Sequence, residues 1–364
     1  MLLSSGTLLQ GGKYKIERML GQGGFGITYL ATLYIETDQS LGRIRTTASV
    51  TIKEFFMQEH CSRNSATSRV SVSSPGAVEM VERFKRKFVK EAQTLASLDY
   101  PHIVKIYDVF EENGTAYYVM EYIDGGTLRE RIDKQGGALA ESDAIRYVRQ
   151  IANALGYMHG KQMNHLDVKP GNIMLNAADN AVLIDFGLTK HYDDEGRATS
   201  TTPVGISRGY APIEQYNSGG VNTFSPAADI YSLGATLYTL VVGVRPPEAT
   251  DVLTSGLPPL SSNISESTVR AIRAAMQSIP QNRPQSIGEF LSLLGYSDES
   301  TEIAAEVDNE KTTCDLSDNS DHDTTPVPEQ NPKELSLAKL LAIEVILLSL
   351  VTAIIISFLH IFIF

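Results

Sequence analysis

An α+β chain in two lobes is the architecture the sequence predicts: a small antiparallel β lobe with one helix, then a larger, mainly helical lobe, then an acidic linker and one C-terminal transmembrane helix. Three observations lead there. Residues 14–120 form strand-like runs rich in Val, Ile, Tyr and Thr, interrupted by one long helical pattern. Residues 125–295 alternate helical patterns such as "SDAIRYVRQIANALGYMHG" with short strands and loops. Beyond them the composition turns first polar and acidic, then wholly apolar. At 364 residues and 42% hydrophobic content, the chain has ample core for one large unit with appendages.

The formal charge of −12 is localised. Residues 297–334 hold 12 Asp and Glu against two Lys, with three prolines and no periodicity, which predicts a disordered linker. The remainder is close to neutral, and no basic patch argues for nucleic acid. Residues 340–364 are predicted to form the membrane helix, because the uncharged 20-residue run from Val345 to Phe364 would span about 30 Å as a helix. Lys333 and Lys339 precede it, consistent with a cytosolic N-terminal body. Only Cys61 and Cys314 occur, so neither a disulfide framework nor a cysteine metal site is expected. The N-terminus lacks the basic and apolar regions of a secretory signal.

Within the first lobe, "LGQGGFGITYL" carries Gly21, Gly23 and Gly26 in G-x-G-x-x-G spacing. Bare α-carbons at that spacing let backbone N–H groups approach phosphate oxygens. The segment that follows, "ITYLATLYI", alternates as a strand, which favours a glycine-rich flap between antiparallel strands over a dinucleotide-binding turn.

In "SVTIKEF", Val50 and Ile52 point one way while Thr51 and Lys53 point the other. A half-buried ammonium needs an anionic partner, although this segment alone fits a surface lysine equally well. The helix "VERFKRKFVKEAQTLASL" supplies a partner. Phe84, Phe88, Leu95 and Leu98 share one face, and Glu91 falls on that apolar stripe, where a carboxylate wants a cation.

In the second lobe, "NHLDVKPGNIML" places Lys169 two residues and Asn172 five residues after Asp167, in a loop between a helix and a strand. "AVLIDFGLTK" then offers a second apolar strand ending at Asp185. Two strands thus deliver an amide and a carboxylate to one place, which suits a hard, oxygen-seeking cation such as Mg²⁺.

Taken in order, these pieces resemble the eukaryotic-type (Hanks-type) protein kinases in their bacterial serine/threonine form. The resemblance covers residues 14–295 as a catalytic domain, with the smaller lobe at about 14–120 and the larger at about 125–295. It implies transfer of the γ-phosphoryl group of ATP to Ser or Thr hydroxyls of proteins. Leu20, Gly21, Gln22, Gly23, Gly24, Phe25, Gly26 and Thr28 would surround the phosphates, and Thr51 would roof the adenine. Lys53, paired with Glu91, would hold the α- and β-phosphates. Met120 would guard the back of the pocket, with the backbones of Glu121 and Ile123 on adenine. Asp167 would take or orient the acceptor proton, Lys169 would steady the transferred phosphate, and Asn172 and Asp185 would hold Mg²⁺, with Mn²⁺ the alternative. Asp229 would brace the catalytic loop, and Arg283 would pair with Glu214. The implied protein is a single-pass cell (inner) membrane signalling kinase with a cytosolic catalytic domain and protein substrates. A homodimer is compatible with it.

Some positions depart from the family pattern. Leu166 stands where an arginine usually precedes the catalytic aspartate, which implies weaker dependence on a phosphorylated activation segment. Thr51 replaces a small alanine, and Ile213 replaces the proline before Glu214. Thr199, Ser200, Thr201 and Thr202 are candidate autophosphorylation sites. Insertions near residues 34–49 and 60–80 lengthen the first lobe; for the second, "HCSRNSATSRVSVSSPGA", either regulator docking or simple surface cover accounts for it. A pseudokinase-type nucleotide-binding scaffold at the membrane is the alternative. It would be favoured by a missing lysine, aspartate or asparagine, and none is missing. A small-molecule phosphotransferase is disfavoured by "TPVGISRGYAPIEQY", which resembles a protein-substrate platform.

Overall fold

The computed structural model describes residues 2–39, 42–185, 206–216 and 225–296, with side chains of residues 37–45 left aside. All lie in one unit, Met1–Ile303. The linker at 297–334, the apolar run Val345–Phe364 and the Thr199–Thr202 cluster lie outside the described residues. Among the described residues no helix is long and apolar enough to cross a membrane.

The first lobe is a six-stranded antiparallel sheet. Its strands are β1 (Leu8–Leu9), β2 (Tyr14–Gln22), β3 (Gly26–Gln39), β4 (Gly42–Phe55), β7 (Ile106–Glu112) and β8 (Thr115–Glu121), in the order β1-β2-β3-β4-β8-β7. Alternation drives it: Tyr14 and Ile16, Ile27 and Tyr29, and Val50 and Ile52 are all buried at period two. The β7–β8 turn uses Asn113 and Gly114, both at positive φ, the geometry that a two-residue hairpin requires.

Both insertions contribute β structure among the described residues. The first extends β3 and β4 as a two-stranded ribbon, paired from Tyr34↔Thr47 out to Gln39↔Gly42. The second is a small hairpin, β5 (Cys61–Arg63) with β6 (Val70–Val72), followed by a turn at Pro75–Ala77 that leads into helix α1 (Val78–Ala96). Phe88, Glu91 and Leu95 of α1 are buried and Phe84 is half-buried, while Leu98 is buried just past the helix end. Phe88 packs its ring against Phe55 and Tyr118, which docks α1 on the sheet.

The second lobe contains α2 (Leu128–Lys134), α3 (Glu141–Gly160), the hairpin β9 (Ile173–Leu175) and β10 (Ala181–Leu183), α4 (Pro226–Val242), α5 (Ala249–Ser255), α6 (Glu266–Ala275) and α7 (Ile287–Leu293). Helix α4 is its axis, with every residue from Ala227 to Leu240 buried. Gly234 lets α6 approach closely: a Cβ there would stand 2.5 Å from the Ala275 Cβ. The lobes join where Val104 N–H donates to the Leu183 carbonyl and Leu183 N–H to that of His102, so the strand before Asp185 is tied to the first lobe.

Candidate active site

Asp229 organises the loop that carries Asp167. It sits fully buried in the first turn of α4, and its carboxylate accepts from the backbone N–H of His165 (2.9 Å) and of Leu166 (2.7 Å) and contacts His159 Nε2 at 2.9 Å. Burial alone would raise its pKa; the His159 hydrogen bond and charge and the Leu166 N–H more than reverse that, and the net direction is downward. Anchored at those two N–H groups, Leu166 adopts a left-handed φ of 63°, which side chains normally avoid. The chain thus turns to present Asp167 next to it.

The Asp167 carboxylate gathers the other loop residues. Lys169 Nζ donates to Oδ2 at 2.9 Å, and Asn172 Nδ2 donates to both Oδ2 and the Asp167 carbonyl at 2.9 Å. A residue that sequence reasoning passed over, Ser207, donates to Oδ1 at 2.5 Å and accepts from Lys169 at 2.9 Å. Its only signal in the sequence was a hydroxyl inside the platform segment. That segment is fixed by the Arg283 guanidinium, which makes a bidentate pair with Glu214 at 2.7 and 3.0 Å and also reaches the Ala227, Gln277 and Ser278 carbonyls. Ile213, in place of proline, leaves this pair intact.

Asp185 follows β10 and has a left-handed φ of 54°. Its carboxylate forms an ion pair with Lys53 Nζ. The expected partner, Glu91, is buried on α1, and its charge also acts on the Lys53 ammonium. Burial pushes the Lys53 pKa down, but Asp185, Tyr118 and Glu91 outweigh burial, and the net shift is upward. Lys53 therefore stays charged at any physiological pH.

The glycine-rich turn lies beside Lys53. Gly21 pairs with Thr28 across β2 and β3, Thr28 pairs with Lys53 across β3 and β4, and Gly23 N–H closes the turn on the Gly26 carbonyl at 2.9 Å. A Cβ on Gly21, Gly23 or Gly24 would meet open space, whereas one on Gly26 would stand 2.7 Å from the Glu54 carbonyl. Gly26 is thus required by strand packing. The turn is latched to the rest of the lobe by Phe25, whose carbonyl accepts from Phe56 N–H and whose ring meets Phe84 of α1. Leu20 is exposed and Gln22 flanks the turn. On the far side, Thr51 is buried opposite Met120, and Glu121 N–H donates to the Lys105 carbonyl. The Ile123 N–H makes no hydrogen bond among the described residues, which leaves a backbone donor at the edge of the cleft.

Among the described residues no group of three or more His, Cys, Asp or Glu could cage a metal. One carboxylate, Asp185, and one amide, Asn172, are oxygen donors of the kind that suits a Mg²⁺ ion sharing its shell with phosphate and water.

A fully buried ion pair, absent from the sequence expectations, lies on the other face of the strand that carries Lys53. Arg63 of β5 donates to Glu54 Oε2 at 2.5 Å, with side-chain exposures of 2% and 0%. The same oxygen accepts from the Tyr29 hydroxyl, which in turn accepts from Leu3 N–H.

A glycine-rich hairpin, a strand lysine and a loop aspartate joined by an asparagine and a second aspartate define the class of protein-kinase-like folds. The comparisons agree. Residues 59–301 match the family model described as "Protein kinase domain". The serine/threonine-protein kinase PknJ of Mycobacterium tuberculosis (strain ATCC 25618 / H37Rv) is 30% identical over 306 residues, which is 79% of this chain and 45% of that one. PrkC of Bacillus subtilis (strain 168) is 34% identical over 235 residues, 65% of this chain and 31% of that one. The solved structure "PpkA-294 apo form" superposes with a TM-score of 0.65 at 28% identity, covering 80% of this chain and 99% of that one. The chain belongs to the protein kinase family. It spans less than half the length of these curated relatives.

Proposed function

We propose that the chain is a serine/threonine protein kinase that moves the γ-phosphoryl group of ATP to Ser or Thr hydroxyls of proteins. The observation that carries this is the Asp167 carboxylate, held by Lys169, Asn172 and Ser207. In this reading Asp167 accepts the hydroxyl proton of the substrate, which raises the nucleophilicity of the attacking oxygen. Lys169, already beside that carboxylate, neutralises charge on the transferred group. Lys53 and the backbone of the glycine-rich turn hold the phosphates, Glu91 and Asp185 keep Lys53 oriented, and Thr51, Met120, Glu121 and Ile123 receive adenine. Asn172 and Asp185 would hold Mg²⁺, which supplies neutralisation of phosphate charge when bound. The catalysis is positioning plus electrostatics, with no covalent intermediate.

Residues 14–295 form the catalytic domain in this proposal, 297–334 a spacer and 340–364 a single membrane span, which places the domain at the cytosolic face of a cell membrane. The apolar, uncharged run Val345–Phe364 supports this.

The test is phosphoryl transfer by the full chain with Mg²⁺ and labelled ATP. Label on serine or threonine is expected in the wild type, with at least a 100-fold loss in Asp167→Asn and in Lys53→Met, roughly the size of a lost acid–base or electrostatic contribution. Nucleotide binding with no transfer to the chain itself or to generic protein substrates would overturn the enzyme reading in favour of a scaffold.

A further inference from the structure

The segment that touches Asp167 through Ser207 continues into an arginine-bearing strip, and this bears on which hydroxyls reach the site. Arg208 follows Ser207 directly, with its side chain 73% exposed. Gly209 has a left-handed φ of 82°, and a Cβ there would stand 2.6 Å from the Pro246 carbonyl and 2.8 Å from Arg245 Cγ. The stem of Arg245 therefore packs on a bare α-carbon that must stay bare, with Arg208 next to it. The strip is rigid. Ser232 Oγ and Thr239 Oγ1 of α4 hold the Tyr210 carbonyl and hydroxyl at 2.9 and 3.1 Å.

The charges on this strip are unbalanced. Among the described residues, Glu248 is the carboxylate that pairs with it, and it reaches Arg208 only at 3.7 Å. Arg245 is exposed and has no ion-pair partner among the described residues. Arg129, also near Tyr210, is committed to Asp133. Among the described residues, two exposed guanidinium groups thus lie by the segment of Ser207, the partner of Asp167, with Arg208 next to it in the chain and Arg245 packed on Gly209, against one loosely held carboxylate. A guanidinium presents a planar fork of donors that matches carboxylate and phosphate oxygens.

We propose that Arg208 and Arg245 form an anion-recognising subsite that selects Ser or Thr residues with an acidic or phosphorylated neighbour. The inference rests on the kinase reading above. Ser207 contacts Asp167 directly, so an arginine one residue away reaches roughly 10 Å from the acceptor oxygen, or about three residues of extended peptide. The selected neighbour therefore lies within three positions of the acceptor.

The test uses full-length protein and peptides with one acceptor serine, in which each position from three before to three after carries Ala, Asp, phosphoserine or Arg in turn. At one position or more, Asp and phosphoserine are expected to raise kcat/KM about tenfold over Ala, the size of a partly exposed charge-assisted hydrogen bond. The gain should sit mainly in KM and shrink as salt rises from 50 to 500 mM. Comparing Asp with phosphoserine separates a carboxylate reader from a phosphate reader. In Arg208→Glu/Arg245→Glu the ratio of acidic to neutral peptide should fall to one or below, with Arg-bearing peptides now favoured. Equal rates for acidic and neutral wild-type substrates would overturn the proposal while leaving the kinase reading standing. So would an acidic preference insensitive to salt, or one retained by the charge-reversed variant. Absence of transfer to every peptide and to the chain itself would overturn both.

Discussion

Replacing Arg63 with alanine is expected to destabilise the protein far more than a residue in an insertion ordinarily would. The loss leaves the Glu54 carboxylate, which has no solvent exposure, with only neutral neighbours, the Tyr29 hydroxyl at 3.1 Å and the nearby Tyr117 hydroxyl, and with Oε1 already lacking a hydrogen-bond partner. Removing one member of a buried ion pair costs about 3–5 kcal/mol, because the remaining charge stays desolvated. At roughly 2–4 °C per kcal/mol for a domain of this class, the thermal midpoint should fall by about 6–20 °C. Removing both charges at once, as Arg63→Met with Glu54→Leu, should recover most of that loss, since apolar groups of similar volume replace a buried pair at little net cost. The assay is a double-mutant cycle by urea unfolding of the full chain, with the first transition assigned to the described domain. A coupling energy of about 2 kcal/mol or more is expected. Single and double variants that lose the same stability, or an Arg63→Ala loss below about 1 kcal/mol, would refute the argument that this pair is desolvated and mutually dependent.

Two further outcomes follow from the site. Ser207→Ala removes a hydroxyl shared by Asp167 and Lys169, and kcat should drop about 10- to 100-fold with the KM for ATP little changed; Ser207→Thr, which keeps the hydroxyl, should recover most of it, as steady-state kinetics would reveal. Burial pushes the His165 imidazole below its ordinary value of 6.5, and the Asp229 and Asp167 charges restore it only in part. The unfolded chain therefore takes up a proton below about pH 6.5 that the folded chain refuses, so stability is full above that pH and declines as pH falls, by at most about 1.4 kcal/mol per pH unit. Denaturant titrations from pH 8 to 5 should show this slope in the wild type and its loss in His165→Gln; an unchanged slope in the variant would assign the effect elsewhere.

The residues legible in the sequence are those whose partners lie close in the chain or whose polarity violates a pattern. Asp167, Lys169 and Asn172 fall within six residues, and the structure brings them to one carboxylate. Glu91 stood out as a charge on an apolar stripe, and it is buried. Glu54 carried the same signal, since in "SVTIKEF" it shares a face with Val50 and Ile52, but its partner comes from an insertion whose hairpin has no strong pattern of its own. Ser207 was illegible because nothing local distinguishes one hydroxyl in "VGISRGY"; its meaning comes from a contact across 40 residues. Gly26 was read for phosphate approach, yet its bare α-carbon is demanded by the Glu54 carbonyl, a constraint visible only once β3 and β4 are paired.

Lys53 and Glu54 occupy successive positions on β4, so their side chains leave opposite faces of the strand. Lys53 is held by Asp185 in the cleft, and Glu54 is held by Arg63 behind it. The hairpin that supplies Arg63 runs through Pro75–Ala77 directly into α1, the helix that carries Glu91. One insertion therefore constrains both the strand bearing the lysine and the start of the helix bearing its acidic neighbour. Phe25 and Phe84 add a contact from the glycine-rich turn to the same helix. Displacing α1 from the sheet would separate the Phe88 ring from Phe55 and Tyr118 and pull on the hairpin whose Arg63 is paired with Glu54. Since packed cores and desolvated pairs resist gradual deformation, the insertion biases α1 toward its docked position, a stabilisation that does not depend on an arginine at position 166.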